Sequence, residues 1–464
     1  MGTPDLRNEL LELFGADAVT FAPHHREEDL HDESLHQRHH EPFAVVRPSS
    51  TADVAQLAQL ATRHRITLTP RGSGTGLSGA ATPVPGGIVV SFDRMNQLLS
   101  LDASDHMAVV QPGITLRELN ELLAGSGLCY PVYPGELSGS LGGNVNTNAG
   151  GMRAVRHGVT RHHVVGLELV LSDGTVLRTG GPVVKSSSGY ELTQLVLGSE
   201  GTLALVTEIT IKLSPTLAHG ATVLVAFDAL DRVTKVVPRI IASGLEPSML
   251  EYIDVVTMAA ITKAAGLELG VNPTVASATA AYLVVVLETR TSEQLDRDLA
   301  DLASLVDEAG ALDVYVLATS AASRLIEARE RAFWVSKAAG ANDLVDVVVP
   351  RSRVPDFLDA ASTIALRHEA FIAGCGHVGD GNIHLSIYQP DDEKREALLL
   401  ELFAFGLELG GQISGEHGIG LDKRGPYRVL TDPHLLALQE RVKYAFDPLN
   451  ILNSPLQPAR EHLA

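Results

Sequence analysis

The sequence predicts an α+β protein of two or three domains. Three observations lead there. At ~100–200 residues per domain, 464 residues need more than one hydrophobic core. Two long glycine-rich loops lie in the first half of the chain, and near residue 220 short strands and turns give way to strands alternating with long amphipathic helices.

Residues 1–44 are polar and hold six histidines (His24, His25, His31, His36, His39, His40), which reads as a solvated N-terminal arm rather than a metal tract. Ser50-Thr51-Ala52-Asp53 resembles a capping box with Asp in place of Glu, opening a helix whose apolar face is Val54, Leu57, Leu60 and Ala61. Strands are expected at 66–69, running into a glycine-rich loop, and at 88–91 and 107–111. Thr115-Leu116-Arg117-Glu118 is a full capping box, starting a helix that stops near Gly125. Residues 164–171 and 175–179 flank the turn Ser172-Asp173-Gly174 as a hairpin, and 203–213 ends in strict alternation, a half-buried strand closed by Pro215. Beyond residue 220, strands at 222–227, 282–288 and 313–317 and a helix at 293–309 suit an α+β domain with helices on one side of its sheet.

Composition removes several function classes. A net charge of −20 disfavours nucleic acid or an anionic membrane surface as the main partner. Cys129 and Cys375 stand far apart in unlike contexts, which excludes a disulfide scaffold and a thiolate zinc site and fits a reducing cytoplasm. The longest clean apolar run, about 280–287, falls far short of the ~20 residues that span a bilayer. Met1–Leu10 carries Asp5, Arg7 and Glu9 with no apolar stretch behind them, so neither a signal peptide nor a transmembrane segment is expected.

Chemistry concentrates in four places. The loop Pro70–Gly79, with four glycines, frees the backbone to aim N–H groups at an anion. It lacks the third glycine of the dinucleotide fingerprint and the Lys of a P-loop, and by itself it also reads as an ordinary turn. Pro134–Gly151 adds six glycines and Asn144, Asn146 and Asn148, suggesting with the first loop an extended ligand held mainly by backbone. A third short loop, Gly198–Thr202, precedes the alternating strand. Downstream, His377 and His384 flank a Gly-Asp-Gly-Asn turn, and Ser414–Gly420 carries Glu416 and His417. Two His and one Glu are the ligand set of an open catalytic metal site, and they equally read as hydrogen-bonded structural groups.

Together these segments resemble the FAD-binding oxidoreductases of the vanillyl-alcohol oxidase and p-cresol methylhydroxylase type. Within that fold the chain is similar to the D-2-hydroxy-acid dehydrogenase branch, which includes D-lactate dehydrogenase, D-2-hydroxyglutarate dehydrogenase and the FAD subunit of glycolate oxidase. The carriers are PRGSGTGLSG (70–79), PGITLREL (112–119), LGGNVNTNAGG (141–151), SDGTVLRTGG (172–181), SGYELTQLVLGSEGTLALVTE (188–208), GHVGDGNIHLSI (376–387), SGEHGIGLDK (414–423) and FDPLNILN (446–453). The resemblance implies a two-part FAD-binding domain (1–220, joined by the returning segment 412–464) and an α+β substrate-cap domain with an antiparallel sheet (221–411).

It further implies that FAD is bound by Arg71, Gly72, Ser73, Gly74, Thr75, Gly76, Ser78 and Gly79, by Pro134, Gly135, Gly142, Gly143, Asn148, Gly151 and Gly158, and by Glu200, Gly201, Ile209 and Asn453. Covalent members place a His where this chain has Thr75, so non-covalent FAD is expected. By the same resemblance His377, His384 and Glu416 bind a divalent metal (Zn or Mn), His417 is the catalytic base, and Arg329 holds the substrate carboxylate, with Ser386 beside the substrate. Phe333 and Leu344 stand where hydroxyglutarate enzymes carry Thr and Lys, which favours a D-lactate-like monocarboxylate over D-2-hydroxyglutarate. Electrons would leave to a quinone, an electron-transfer protein or another carrier, and a homodimer is left open. A rival from another class is a non-redox transferase like alkyl-dihydroxyacetone-phosphate synthase. The intact metal and base set argues against it.

Overall fold

The computed structural model describes residues 3–36, 38 and 40–456. Its strands form three main sheets and one small pair. The first has the spatial order Val19–Phe21, Ala44–Val46, Ile88–Ser91, Leu68–Arg71, and its last three strands run parallel. Helix Thr51–His64 makes the crossover. Ser50 Oγ accepts from the Asp53 N–H at 3.2 Å, but the Asp53 carboxylate turns to the N–H and Oγ of Ser49 at 2.8 Å, so the expected box closes one residue early. At Thr115 the box is complete.

The second sheet is antiparallel, in the order Leu98–Asp102, Met107–Val110, Leu205–Lys212, Val164–Val170, Val176–Gly180. The third has seven antiparallel strands: Asp313–Val316, His219–Phe227, Ala281–Thr289, Met249–Asp254, Phe371–His377, Asn382–Tyr388, Asp343–Val348. Helices cover both of its faces, not one as the rhythm suggests. Val223, Val225 and Phe227 belong to one core, shared with helices Leu230–Ala242, Ser292–Glu308, Val354–Arg367 and Asp392–Glu408. Leu224 and Ala226 meet Val255–Ala265 and Thr319–Glu330. The reason is in the strand itself: residues 223–227 are apolar at both parities, as burial on both faces requires.

The N-terminal segment also differs from a solvated arm. Thr3–Phe14 is a helix, and Leu10 and Phe21 are buried in the first core. Asp29, Asp32 and Ser34 are buried as well. Charge pairing makes this affordable: Asp29 meets Arg47 and, at 3.1 Å, Arg26. His36 Nε2 lies 2.8 Å from Asp343, across on the seven-stranded sheet. His39 lies outside the described residues. At the other end, Leu452 bridges Leu68, and the buried Lys443 ammonium donates to Asp447 at 2.6 Å and to the carbonyls of Thr202 and Leu452 at 2.7 Å.

Candidate active site

One continuous cleft, enclosing about 1870 Å³ of empty space including its mouth, runs from the first glycine-rich loop to the seven-stranded sheet. Its reach, from the glycine-rich loops to the histidines of the sheet, suits an extended ligand. One end is backbone. Gly72 packs so tightly on Ser140 that a Cβ would sit 2.0 Å from its Oγ, which brings the 70–79 loop against helix Leu141–Thr147. Ser140 Oγ accepts from the N–H of Ser73 at 3.2 Å and of Gly143 at 3.3 Å. Among the described residues, the N–H groups of Gly74, Thr75, Gly76 and Leu77 have no hydrogen-bond partner, and neither has the buried Asn144 Nδ2 facing the same space. Unspent donors converging on a cleft fit the pyrophosphate of a dinucleotide.

Arg71, Gly72, Ser73, Gly74, Thr75, Gly76, Pro134, Gly135, Gly142, Gly143, Glu200 and Gly201 all line this cleft. Ser78, Gly79, Asn148, Gly151, Gly158, Ile209 and Asn453 are not among its lining residues. Several of them hold the wall from behind. Ser78 Oγ donates toward the carbonyls of His417 and Gly418 at 3.2 Å, and Asn453 Nδ2 donates to those of Ala80 and Glu200 at 2.9 and 2.8 Å. Asn148 caps a helix at φ 52°, and Ile209 is fully buried within the five-stranded sheet. His157 is also outside the lining. Burial, helped by Arg153 and Arg156, pushes it down to about 4. Burial pushes Glu200 up to about 7, although its carboxylate accepts from the Gly420 N–H at 3.0 Å.

The other end is side chains. The sheet register sets Asp346 opposite His384, and His384 opposite Cys375. Period-two alternation then puts Leu344 and Ser386, also paired, on the same face one step along. The tight turn 378–381 folds His377 back on His384, with ring centroids 4.9 Å apart. Glu416 Oε1 completes the group, 3.1 Å from His377 Nε2 and 3.3 Å from His384 Nε2. These ligand atoms lie within 4.8 Å of one another, and two imidazoles with a carboxylate suit a divalent ion such as Zn or Mn. Burial alone would raise Glu416, but His377 and His384 outweigh it and hold its carboxyl well below the usual range.

His417 stacks on His384 at 5.0 Å, with Nε2 3.9 Å from Glu416 Oε1 and Nδ1 3.8 Å from Asp346 Oδ2. Burial, only partly offset by Asp346, pushes it down to about 4, so the imidazole is neutral near pH 7. Arg329, at the end of helix Thr319–Glu330, is buried in the cleft wall. Its Nη2 lies 2.9 Å from Glu251 Oε2, misaligned for a hydrogen bond, so Nε and Nη2 stay unpaired. Phe333, Trp334, Leu344, Cys375 and Ser386 line the same end.

Two carboxylates here escape the sequence reading. Asp346 is fully buried. It accepts from Asn382 Nδ2 (2.9 Å), Ser414 Oγ (2.7 Å) and the N–H groups of Gly415 (3.1 Å), Glu416 (3.2 Å) and His417 (2.9 Å), so it clamps the turn that carries both residues. With its oxygens spent, the alternative cluster Asp346–His384–His417 is the poorer metal site. Glu251 accepts from His377 Nδ1 at 2.6 Å. The signal for both is an acid in the interior of an apolar strand, Glu251 in MLEYID (249–254) and Asp346 in DLVDVV (343–348).

Comparison with known proteins identifies the family and the fold. The family described as "FAD linked oxidases, C-terminal domain" matches residues 216–455, and "FAD binding domain" matches 42–180. An uncharacterized FAD-linked oxidoreductase of Mycobacterium tuberculosis is 50% identical over 427 residues, covering 92% of this chain and 93% of its own. A D-lactate dehydrogenase of Anaerostipes hadrus is 33% identical over 459 residues, 97% and 96% of the two chains. A crystal structure of p-cresol methylhydroxylase with substrate bound superposes with a TM-score of 0.79 at 17% identity, covering 97% of this chain and 95% of that one, a likeness of fold. The chain belongs to the FAD-linked oxidases, in the family that holds D-lactate dehydrogenases, D-2-hydroxyglutarate dehydrogenases and the glycolate oxidase subunit.

Proposed function

We propose that the protein is a metal-assisted dehydrogenase that oxidises a D-2-hydroxy monocarboxylic acid of the D-lactate type to the 2-oxo acid. The observation that carries this is the buried two-histidine, one-glutamate cluster with a neutral imidazole and an unspent guanidinium on one cleft. When bound, non-covalent FAD supplies the hydride acceptor and the divalent ion supplies Lewis acidity at the α-hydroxyl. In this reading His377, His384 and Glu416 hold the ion. Arg329 binds the substrate carboxylate through its free Nε and Nη2 donors. His417 Nε2 takes the hydroxyl proton, the task of a neutral imidazole beside the ligand cluster. The loops at 70–79, 134–151 and 198–201 cradle the cofactor, with Thr75 offering no imidazole for a covalent bond. A domain division at 1–220, 221–411 and 412–464 would set the cofactor loops against the cap at this cleft.

Specificity follows from the wall. Among the described residues lining the cleft, Arg71 and Arg329 are the only arginines or lysines, and Arg71 donates to the His31 carbonyl at 2.7 Å. Phe333 and Leu344 give a second carboxylate nothing to pair with, and leaving it unpaired costs ~1–3 kcal/mol or more. The enzyme is read as cytoplasmic, passing electrons to a quinone, an electron-transfer protein or another carrier. Steady-state kinetics with an artificial acceptor test the substrate: kcat/KM for D-lactate should exceed that for D-2-hydroxyglutarate by about tenfold or more. A preference for the dicarboxylate would refute the monocarboxylate assignment.

A further inference from the structure

We infer that Glu251 is a positioning residue for both ends of the substrate site, aligning His377 for the metal and Arg329 for the substrate carboxylate. The inference rests on the metal and substrate roles proposed above. Glu251 lies in the middle of strand Met249–Asp254, only 1% exposed, between a tyrosine and a leucine that face the opposite core. A carboxylate buried this deeply is costly unless it is paired. Here both oxygens have partners of different kinds.

Oε1 accepts from His377 Nδ1 at 2.6 Å. With Nδ1 committed to Glu251, Nε2 is the ring atom that faces Glu416, 3.1 Å away, on the side where the ion would sit. The partner imidazole has no such support. His384 Nδ1 is 3.6 Å from Asp346 and makes no hydrogen bond, although the atom is buried. Of the two histidine ligands, His377 is thus the one aligned from behind, and Glu251 aligns it.

Oε2 acts differently. It stands 2.9 Å from Arg329 Nη2, but misaligned, so the buried guanidinium has its charge compensated while Nε and Nη2 keep their protons unspent. A well-aligned bidentate pair would consume those donors and close the site to an incoming carboxylate. Removing Glu251 would leave the guanidinium buried without a counter-charge. One carboxylate therefore serves metal and substrate together.

Glu251→Gln is the test, because it keeps shape and an acceptor while removing the charge. Zn(II) and Mn(II) affinities of the FAD-loaded protein are measured by competition with a chelating dye, alongside KM for D-lactate, flavin content and flavin absorbance. We expect metal affinity to fall about 10–100-fold and KM to rise, with flavin content and spectrum unchanged. Glu251→Ala should shift metal affinity further in the same direction, and the isosteric variant decides the matter if the alanine protein does not fold. Wild-type protein that takes up neither ion overturns the metal reading and this inference with it. Wild-type protein that binds the ion, with Glu251→Gln binding as tightly at an unchanged KM, overturns the inference alone.

Discussion

At the scale of single residues, neighbours in sequence should fail differently. Glu416 and His417 are adjacent, yet one carboxylate oxygen lies within 3.3 Å of two imidazoles while the next side chain stacks on a ring without joining that cluster. Glu416→Ala should lose the metal by elemental analysis and be only partly rescued by added metal. His417→Ala should keep FAD and metal while flavin reduction slows, by ~10²–10⁴-fold for loss of a general base. Both variants retaining metal and reducing flavin at the wild-type rate would make the turn structural. These two residues were legible because glycines bracket them and mark a turn with a task. Asp346 and Glu251 were not. Each is one acid inside an apolar strand, and only the fold reveals that Asp346 clamps a turn 70 residues onward through the Glu416 N–H, or that Glu251 reaches His377.

At the scale of elements, local pattern predicts strands well and their partners poorly. The strand at 88–91 has its expected bounds, and the helix expected at 293–309 runs Ser292–Glu308, capped by Thr291. Sheet order is different in kind: Asp343–Val348 pairs with Asn382–Tyr388 because both bury one face together, and no local periodicity encodes that choice. The N-terminal segment shows the same limit, since its polar composition hides a buried ion pair. Burial works against the Asp29 charge, but Arg26 and Arg47 outweigh it and hold the carboxyl below the ordinary aspartate value. Asp29→Asn should therefore cost about 3–5 kcal/mol in denaturant unfolding, the range for breaking a buried pair. The sign with pH is fixed by the depressed value. The stabilisation is fully present above the unfolded pKa of about 3.9 and is lost as pH falls through the folded one, so wild type and variant should converge in acid. A constant gap from pH 7 to strong acid would assign the loss to packing instead.

At the scale of the whole molecule, one cleft has two kinds of wall. Backbone donors from the glycine-rich loops line one end, and the cap sheet brings imidazoles, carboxylates and a guanidinium to the other. The chemical halves were each visible in the sequence as separate motifs more than 170 residues apart, but their meeting depends on the packing of the sheets and the return of the C-terminal segment to Leu68. The central claim is that electrons pass from a D-2-hydroxy acid to the flavin across this cleft. Mixing the FAD- and metal-loaded protein anaerobically with D-lactate or L-lactate, and following the visible flavin absorbance, tests it directly. The account predicts bleaching by the D acid, abolished when the metal is chelated, and none by the L acid. Bleaching by the L acid, or none by any D-2-hydroxy acid with metal and FAD both in place, would contradict it.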